Sequence, residues 1–188
     1  MSELLLPPPR RARVRPPVRL RVAPCRTRRV PRLGAALDTV NRDFAAAFPD
    51  REPLVLMVWG GDEDIGEQVY VALSDGTSQG NGLSEPEDAD ADPLVHVAEA
   101  AQETVVELLW RAWPVCPFHK LGTHPRPEGT TADWEYGESW GPGVVWWCRG
   151  HRGGDCHDLA SVGEFAGALP GKQRREARRR ERKRGRAG

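Results

Sequence analysis

No stretch of this chain approaches the roughly 18 apolar residues that a membrane-crossing helix requires. With a mean hydropathy of −0.57 and 29% charged residues, a spanning role is not expected. The apolar start, Leu4-Leu5-Leu6, runs directly into prolines. It falls short of the about 7–15 apolar residues at the heart of a signal peptide. The Arg-rich, acid-poor residues that follow have the composition of a transit peptide, but their prolines would break the amphipathic helix such a peptide forms. The expected location is the cytoplasm, where thiols stay reduced and open to metal.

Catalytic signatures are missing too. The chain has no phosphate-cradling Walker loop and no dinucleotide-binding glycine fingerprint, which removes support for nucleotide chemistry. It lacks the paired-histidine helix motif of zinc proteases and the zinc deaminase signature. The acidic run Glu85, Glu87, Asp88, Asp90 and Asp92 has neither the glycine nor the terminal glutamate spacing of a calcium loop, so it is read as a solvated linker.

What is present is concentrated. Of only four cysteines, Cys116, Cys148 and Cys156 share one segment with four of the five histidines: His119, His124, His151 and His157. Thiolate and neutral imidazole are the donors a tetrahedral zinc prefers, and a short knuckle followed by a second ligand pair is the usual way to deliver four of them. Cys116 and His119 form such a knuckle, and Cys148 ends the β-prone run that begins at Val144. The fourth donor is open among His151, Cys156 and His157. Spacing favours His151, which repeats the two-residue gap of the first pair. The 28 residues between His119 and Cys148 exceed the 15–20 common in ribbon-like sites. A Cys116 nucleophile beside His119 has no recognisable context. A catalytic metal would need an open coordination position and a carboxylate base, for which Glu128, Asp133, Glu135 and Asp155 are the nearby candidates.

A zero net charge hides a strong segregation. Residues 1–33 hold ten arginines and one acid, giving +9; residues 171–188 hold ten Lys/Arg and two glutamates, giving +8; residues 34–170 carry −17. The Pro-dense N-terminal arm buries too little apolar surface to offset chain entropy, so it is expected to be disordered. The C-terminal tail lacks proline over Lys172–Arg186 and can form a charged helix once a polyanion screens its self-repulsion. Both arms are candidate nucleic-acid tethers. The alternative is that they fold back on the acidic body. Cys116 to His157, at −1, is a poor phosphate surface by itself.

Between the arms the pattern is that of an α+β fold. Leu37, Val40, Phe44 and Phe48 predict a helix over about 36–48. Leu54–Trp59 and the alternating Val69, Val71 and Leu73 predict an antiparallel hairpin, with room near Gly80-Asn81-Gly82 for a short third strand. Asp92-Pro93 predicts a helix start. Leu94, Val97, Ala98, Ala101, Val105, Leu108 and Leu109 give that helix a wide apolar stripe, and its end is expected near Trp113-Pro114. His96 on its first turn is read as an ordinary packing residue. Six of the seven tryptophans, Trp110, Trp113, Trp134, Trp140, Trp146 and Trp147, lie in the Cys/His segment. They are expected to cover the metal site and join it to the helix, or in part to anchor a partner.

The run QETVVELLWRAWPVCPFH over 102–119, then VVWWC ending at Cys148 and HDLASVG over His157–Gly163, resembles uncharacterised actinobacterial proteins with a small zinc-ribbon-like C-terminal module. The resemblance is close over 102–163 and loose back to Leu54. In that pattern a histidine lies just ahead of the closing segment. The resemblance therefore implies His157 rather than His151, and a ligand set of Cys116, His119, Cys148 and His157 for a structural Zn2+.

The expected organisation is a disordered arm over 1–33, an α+β domain with a small antiparallel sheet and two helices over 34–113, a zinc-ribbon-like module over 114–170, and a basic tail over 171–188. The expected function is that of a noncatalytic, zinc-stabilised binding or regulatory module with an unknown protein partner. The alternatives are nucleic-acid binding through the arms and, behind it, a zinc-dependent hydrolase.

Overall fold

The computed structural model describes residues 29–59, 68–83, 93–129, 143–151 and 155–172, together with Arg175, Arg179 and Arg182. Within them three helices and two small antiparallel sheets make an α+β fold. The run 60–67, the acidic linker, and Asp133, Trp134, Glu135 and Trp140 lie outside the described residues, as does the arm before Arg29.

Helix α1 spans Arg29–Ala47. It starts seven residues before the expected Ala36 and takes up the last five residues of the anticipated arm. Pro31 sits in the first turn, where backbone N–H groups have no intrahelical partner and proline is tolerated. Leu33, one turn before Leu37, is buried and so extends the apolar stripe. Leu33, Leu37, Val40, Phe44 and Phe48 then recur at three- and four-residue spacing and bury one face. Pro49 marks the stop, because a residue before proline is pushed out of helical geometry.

Strands β1, Val55–Trp59, and β2, Gln68–Ala72, form the expected hairpin in antiparallel register, with Met57 opposite Tyr70. The third strand is reduced to two isolated bridges, Ala72 to Ser78 and Val69 to Leu83. The Asn41 side chain of α1 both accepts from Leu54 N (2.9 Å) and donates to Leu54 O (3.0 Å), which fixes where the hairpin leaves the helix.

Helix α2 covers Leu94–Leu109 and buries Val95, Val97, Ala98, Ala100, Ala101, Thr104 and Val105. Thr104 is the polar member of that face. Its single hydroxyl proton is shared between the backbone oxygens of Val71 (2.9 Å) and Gln79 (3.1 Å), pinning the helix to β2. Pro93 is the cap, and Asp92 lies outside the described residues. The helix stops four residues before the expected Trp113, because Trp110 adopts a left-handed backbone at φ 53°. That geometry ends a helix wherever it occurs.

The second sheet has the order β3-β4-β5, from His124–Pro127, Val144–Cys148 and His157–Ser161, all antiparallel. Strand β3 reads His-Pro-Arg-Pro. Proline is tolerated in an edge strand because its missing N–H is not needed for a ladder on the open side. A one-turn helix α3, Phe165–Ala168, follows β5.

One hydrophobic cluster runs through both sheets' surroundings. Leu37, Phe44, Val71, Val97 and Val105 share it with Trp113, Val144, Trp146, Val162 and Phe165. Trp113 packs edge-on against Phe44 (centroids 5.8 Å) and Trp146 (5.5 Å). These aromatics bind the Cys/His segment to α1 as well as to α2, and residues on both sides of position 113 contribute to a shared core.

Candidate metal centre

Residues Val115 to Gly122 fold into a tight knuckle. A bridge pairs Val115 with Gly122, Cys116 N donates to Leu121 O (2.9 Å), and Lys120 N donates to Cys116 O (2.9 Å). Lys120 takes a left-handed backbone at φ 60°, which lets the chain reverse just after His119. Cys116 Sγ and His119 Nδ1 consequently lie 3.8 Å apart. The base of the knuckle is tied from outside. Thr123 donates through N (3.0 Å) and Oγ1 (3.2 Å) to Pro114 O. From α2, the Gln102 amide donates to the backbone oxygens of both Trp113 and Thr123.

The second half comes from the neighbouring strands. Cys148 ends β4, and His157, which begins β5, is its direct cross-strand partner. Cross-strand partners lie side by side on one face of a sheet, and their immediate neighbours point the other way. That register is why His157 joins the group while Cys156, one residue earlier, is exposed. His151 has already left the strand and is exposed, with its ring 5.4 Å from that of His119.

Cys116, His119, Cys148 and His157 each offer one donor atom, and these atoms all lie within 4.8 Å of one another. His119 Nδ1 is 3.4 Å from Cys148 Sγ, and His157 Nε2 is 3.7 Å from Cys116 Sγ. The four residues form a cluster that can hold a metal ion. Both sulfurs are fully buried. Burial pushes the Cys148 thiol up; the Gly150 N–H works against this, and the closeness of Cys116 adds to it. Burial therefore favours the neutral Cys148 thiol, and a bound cation would be what stabilises its thiolate.

Asp155 holds both histidines. Its carboxylate Oδ2 lies 2.8 Å from His119 Nε2, and its backbone oxygen lies 3.0 Å from His157 Nδ1. A carboxylate and a carbonyl only accept, so each ring uses that nitrogen to donate and turns the other, lone-pair nitrogen inward. Gly150 makes room for this arrangement. At φ +69° it packs so closely on Asp155 that a side-chain carbon would come within 2.7 Å of the Asp155 carbonyl carbon.

Four protein donors converge, Cys116 is fully buried, and the Asp155 carboxylate is engaged with His119. Glu128 is exposed at the end of β3. His124 is exposed on β3 outside the cluster, its pKa lowered first by partial burial and then by the charges of Arg126 and Arg149. His96 is half-buried on α2, and burial lowers its pKa as well.

The tryptophans divide. Trp113 and Trp146 face the core, Trp147 is buried with the Arg126 guanidinium 3.8 Å from its ring centroid, and Trp110 is 87% exposed. Reading the sequence did not single out Gln102, Asp155 or Gly150 as supports. Asp155 stood out only as a nearby carboxylate for a catalytic metal, and Gly150 only as a glycine two residues after Cys148. No helix among the described residues is long and apolar enough to cross a membrane. Comparison of the chain with protein-family models, curated proteins and solved structures returns no match.

Proposed function

We propose that this chain is a noncatalytic, zinc-stabilised binding or regulatory module acting in the cytoplasm on a protein partner. The observation that carries the reading is the convergence of two thiols and two lone-pair imidazole nitrogens, with each second imidazole nitrogen satisfied by Asp155. Bond lengths of about 2.3 Å to sulfur and about 2.0–2.1 Å to nitrogen put tetrahedral S and N donors about 3.6 Å apart. The spacings of 3.4, 3.7 and 3.8 Å straddle that value. Two thiolates with two imidazoles favour Zn2+ over the oxygen-seeking cations, and four protein donors suit a structural role. The resemblance to actinobacterial proteins with a zinc-ribbon-like module points the same way. Exposed aromatics at Trp110 and at Phe118, on the knuckle, offer a partner hydrophobic anchors.

Elemental analysis of the purified protein tests the reading. One zinc per chain is expected, falling to a small fraction in Cys116→Ser; a wild type that is metal-free and fully folded would sink it. The support from Asp155 has its own outcome. Asp155→Ala removes the carboxylate but keeps the backbone oxygen, so His119 is loosened and His157 is not. Zinc affinity measured by chelator competition is expected to drop about 10- to 100-fold, the range for loss of a partner of a metal-bound histidine. The folded spectrum should be retained at saturating zinc.

A further inference from the structure

After α3 the chain is helical again at residues 171, 172, 175, 179 and 182. Lys172, Arg175, Arg179 and Arg182 are all exposed there. Intervals of three, four and three residues put these four cations within an arc of about 80° on a helix, along about 15 Å of its length. The geometry points to a polyanion-binding stripe, and we propose that it grips the phosphodiester backbone of nucleic acid.

Three observations select that partner. Of the ten cations over 171–188, eight are arginine, whose planar fork binds phosphate oxygens in pairs. The sequence over 171–188 has no apolar residue larger than its two alanines, so it lacks the apolar face by which a basic helix settles into a lipid surface. The stripe is regular, as is the target, which carries one negative charge per about 1.7 Å of duplex axis. The body over 34–170, at −17, repels phosphate. Screening over about 8–10 Å at physiological salt limits that repulsion to parts of the nucleic acid close to the body.

The test uses the full, zinc-loaded chain and a fluorescently labelled 20-base-pair DNA duplex, with anisotropy titrations between 50 and 200 mM KCl. The comparison protein carries Lys172→Gln, Arg175→Gln, Arg179→Gln and Arg182→Gln, which removes four charges and keeps good helix formers. Four phosphate contacts contribute a log–log salt slope of about −3.6, an affinity loss of about 150-fold over that range. The quadruple variant should lose that part of the slope and keep its zinc content. An unchanged slope, or no binding by the wild type at 50 mM KCl, overturns the proposal. So does tighter binding to poly-glutamate or to anionic lipid vesicles than to the duplex.

Discussion

Stripping metal from the native protein with a chelator is expected to unfold the knuckle and the β4–β5 end of the second sheet, while α1, α2 and the β1–β2 hairpin keep their protection. Binding energies at structural zinc sites, about 10–16 kcal/mol in apparent terms, rival the entire 5–15 kcal/mol stability of an ordinary domain. The loss should nevertheless be graded along the chain, because the two parts are held differently. The knuckle over 115–122 has few internal bonds and an exposed Phe118 at 72%. Without an ion, Cys116 and Cys148 are two buried thiols beside two imidazoles, with little to hold them there. Val144 and Trp146, by contrast, are rooted in the hydrophobic cluster with Phe44 and Trp113. Hydrogen exchange read peptide by peptide distinguishes these regions. Protection should fall by orders of magnitude over 115–122 and 148–161 and return when Zn2+ is added back. A metal-free protein with native protection over 115–122 would refute the coupling of site and fold.

How much of this was legible in advance depended on whether the signal was local. Helix α2 follows from apolar periodicity and the β1–β2 hairpin from a continuous apolar run followed by an alternating one, and the structure contains both. Three of the four clustered donors stood out from residue type and spacing alone. The fourth could not be read that way, because His151, Cys156 and His157 differ by strand register, and register is set by the pairing of β4 with β5 across the sheet. Strand β5, His-Asp-Leu-Ala-Ser, has no β-prone run of its own, and β3 carries two prolines. Both are strands because β4, Val-Val-Trp-Trp-Cys and buried throughout, has two edges to fill. The stop of α2 at Trp110 was illegible for a similar reason. Tryptophan has no preference for a left-handed backbone, and the position is imposed by where the chain must turn toward Pro114. The polar ties were the least visible. Gln102, Thr104 and Asn41 look like ordinary helix-surface residues in sequence, and each proves to bond backbone atoms outside its own helix.

Replacing Asp43 with alanine is expected to cost about 4 kcal/mol, because three buried or half-buried donors lose their acceptor. Asp43 looks like a routine polar residue of α1 next to Phe44, yet it is 1% exposed. Its Oδ2 accepts from Trp146 Nε1 and from Gly163 N, both at 2.6 Å, and its Oδ1 accepts from Phe165 N at 2.8 Å. One carboxyl thus joins α1 to β4 and to the turn leading into α3, partners more than a hundred positions away in sequence. Burial pushes its pKa up from 3.8, while those three donors and the charge of Arg42 pull against the shift. Alanine would strand donors in a dry place, at about 1–3 kcal/mol for each one left unsatisfied. Asparagine keeps one acceptor oxygen but turns an amide N–H₂ toward a donor, so Asp43→Asn should cost less than alanine and more than 1 kcal/mol. Urea unfolding of zinc-loaded protein measures both. Trp146→Phe supplies the control: on that background one donor is already gone, and Asp43→Ala should cost about 1–2 kcal/mol less than on the wild type. An alanine variant within 1 kcal/mol of wild type, or strict additivity with Trp146→Phe, would show that the buried carboxyl does not hold the two sheets' helical frame together.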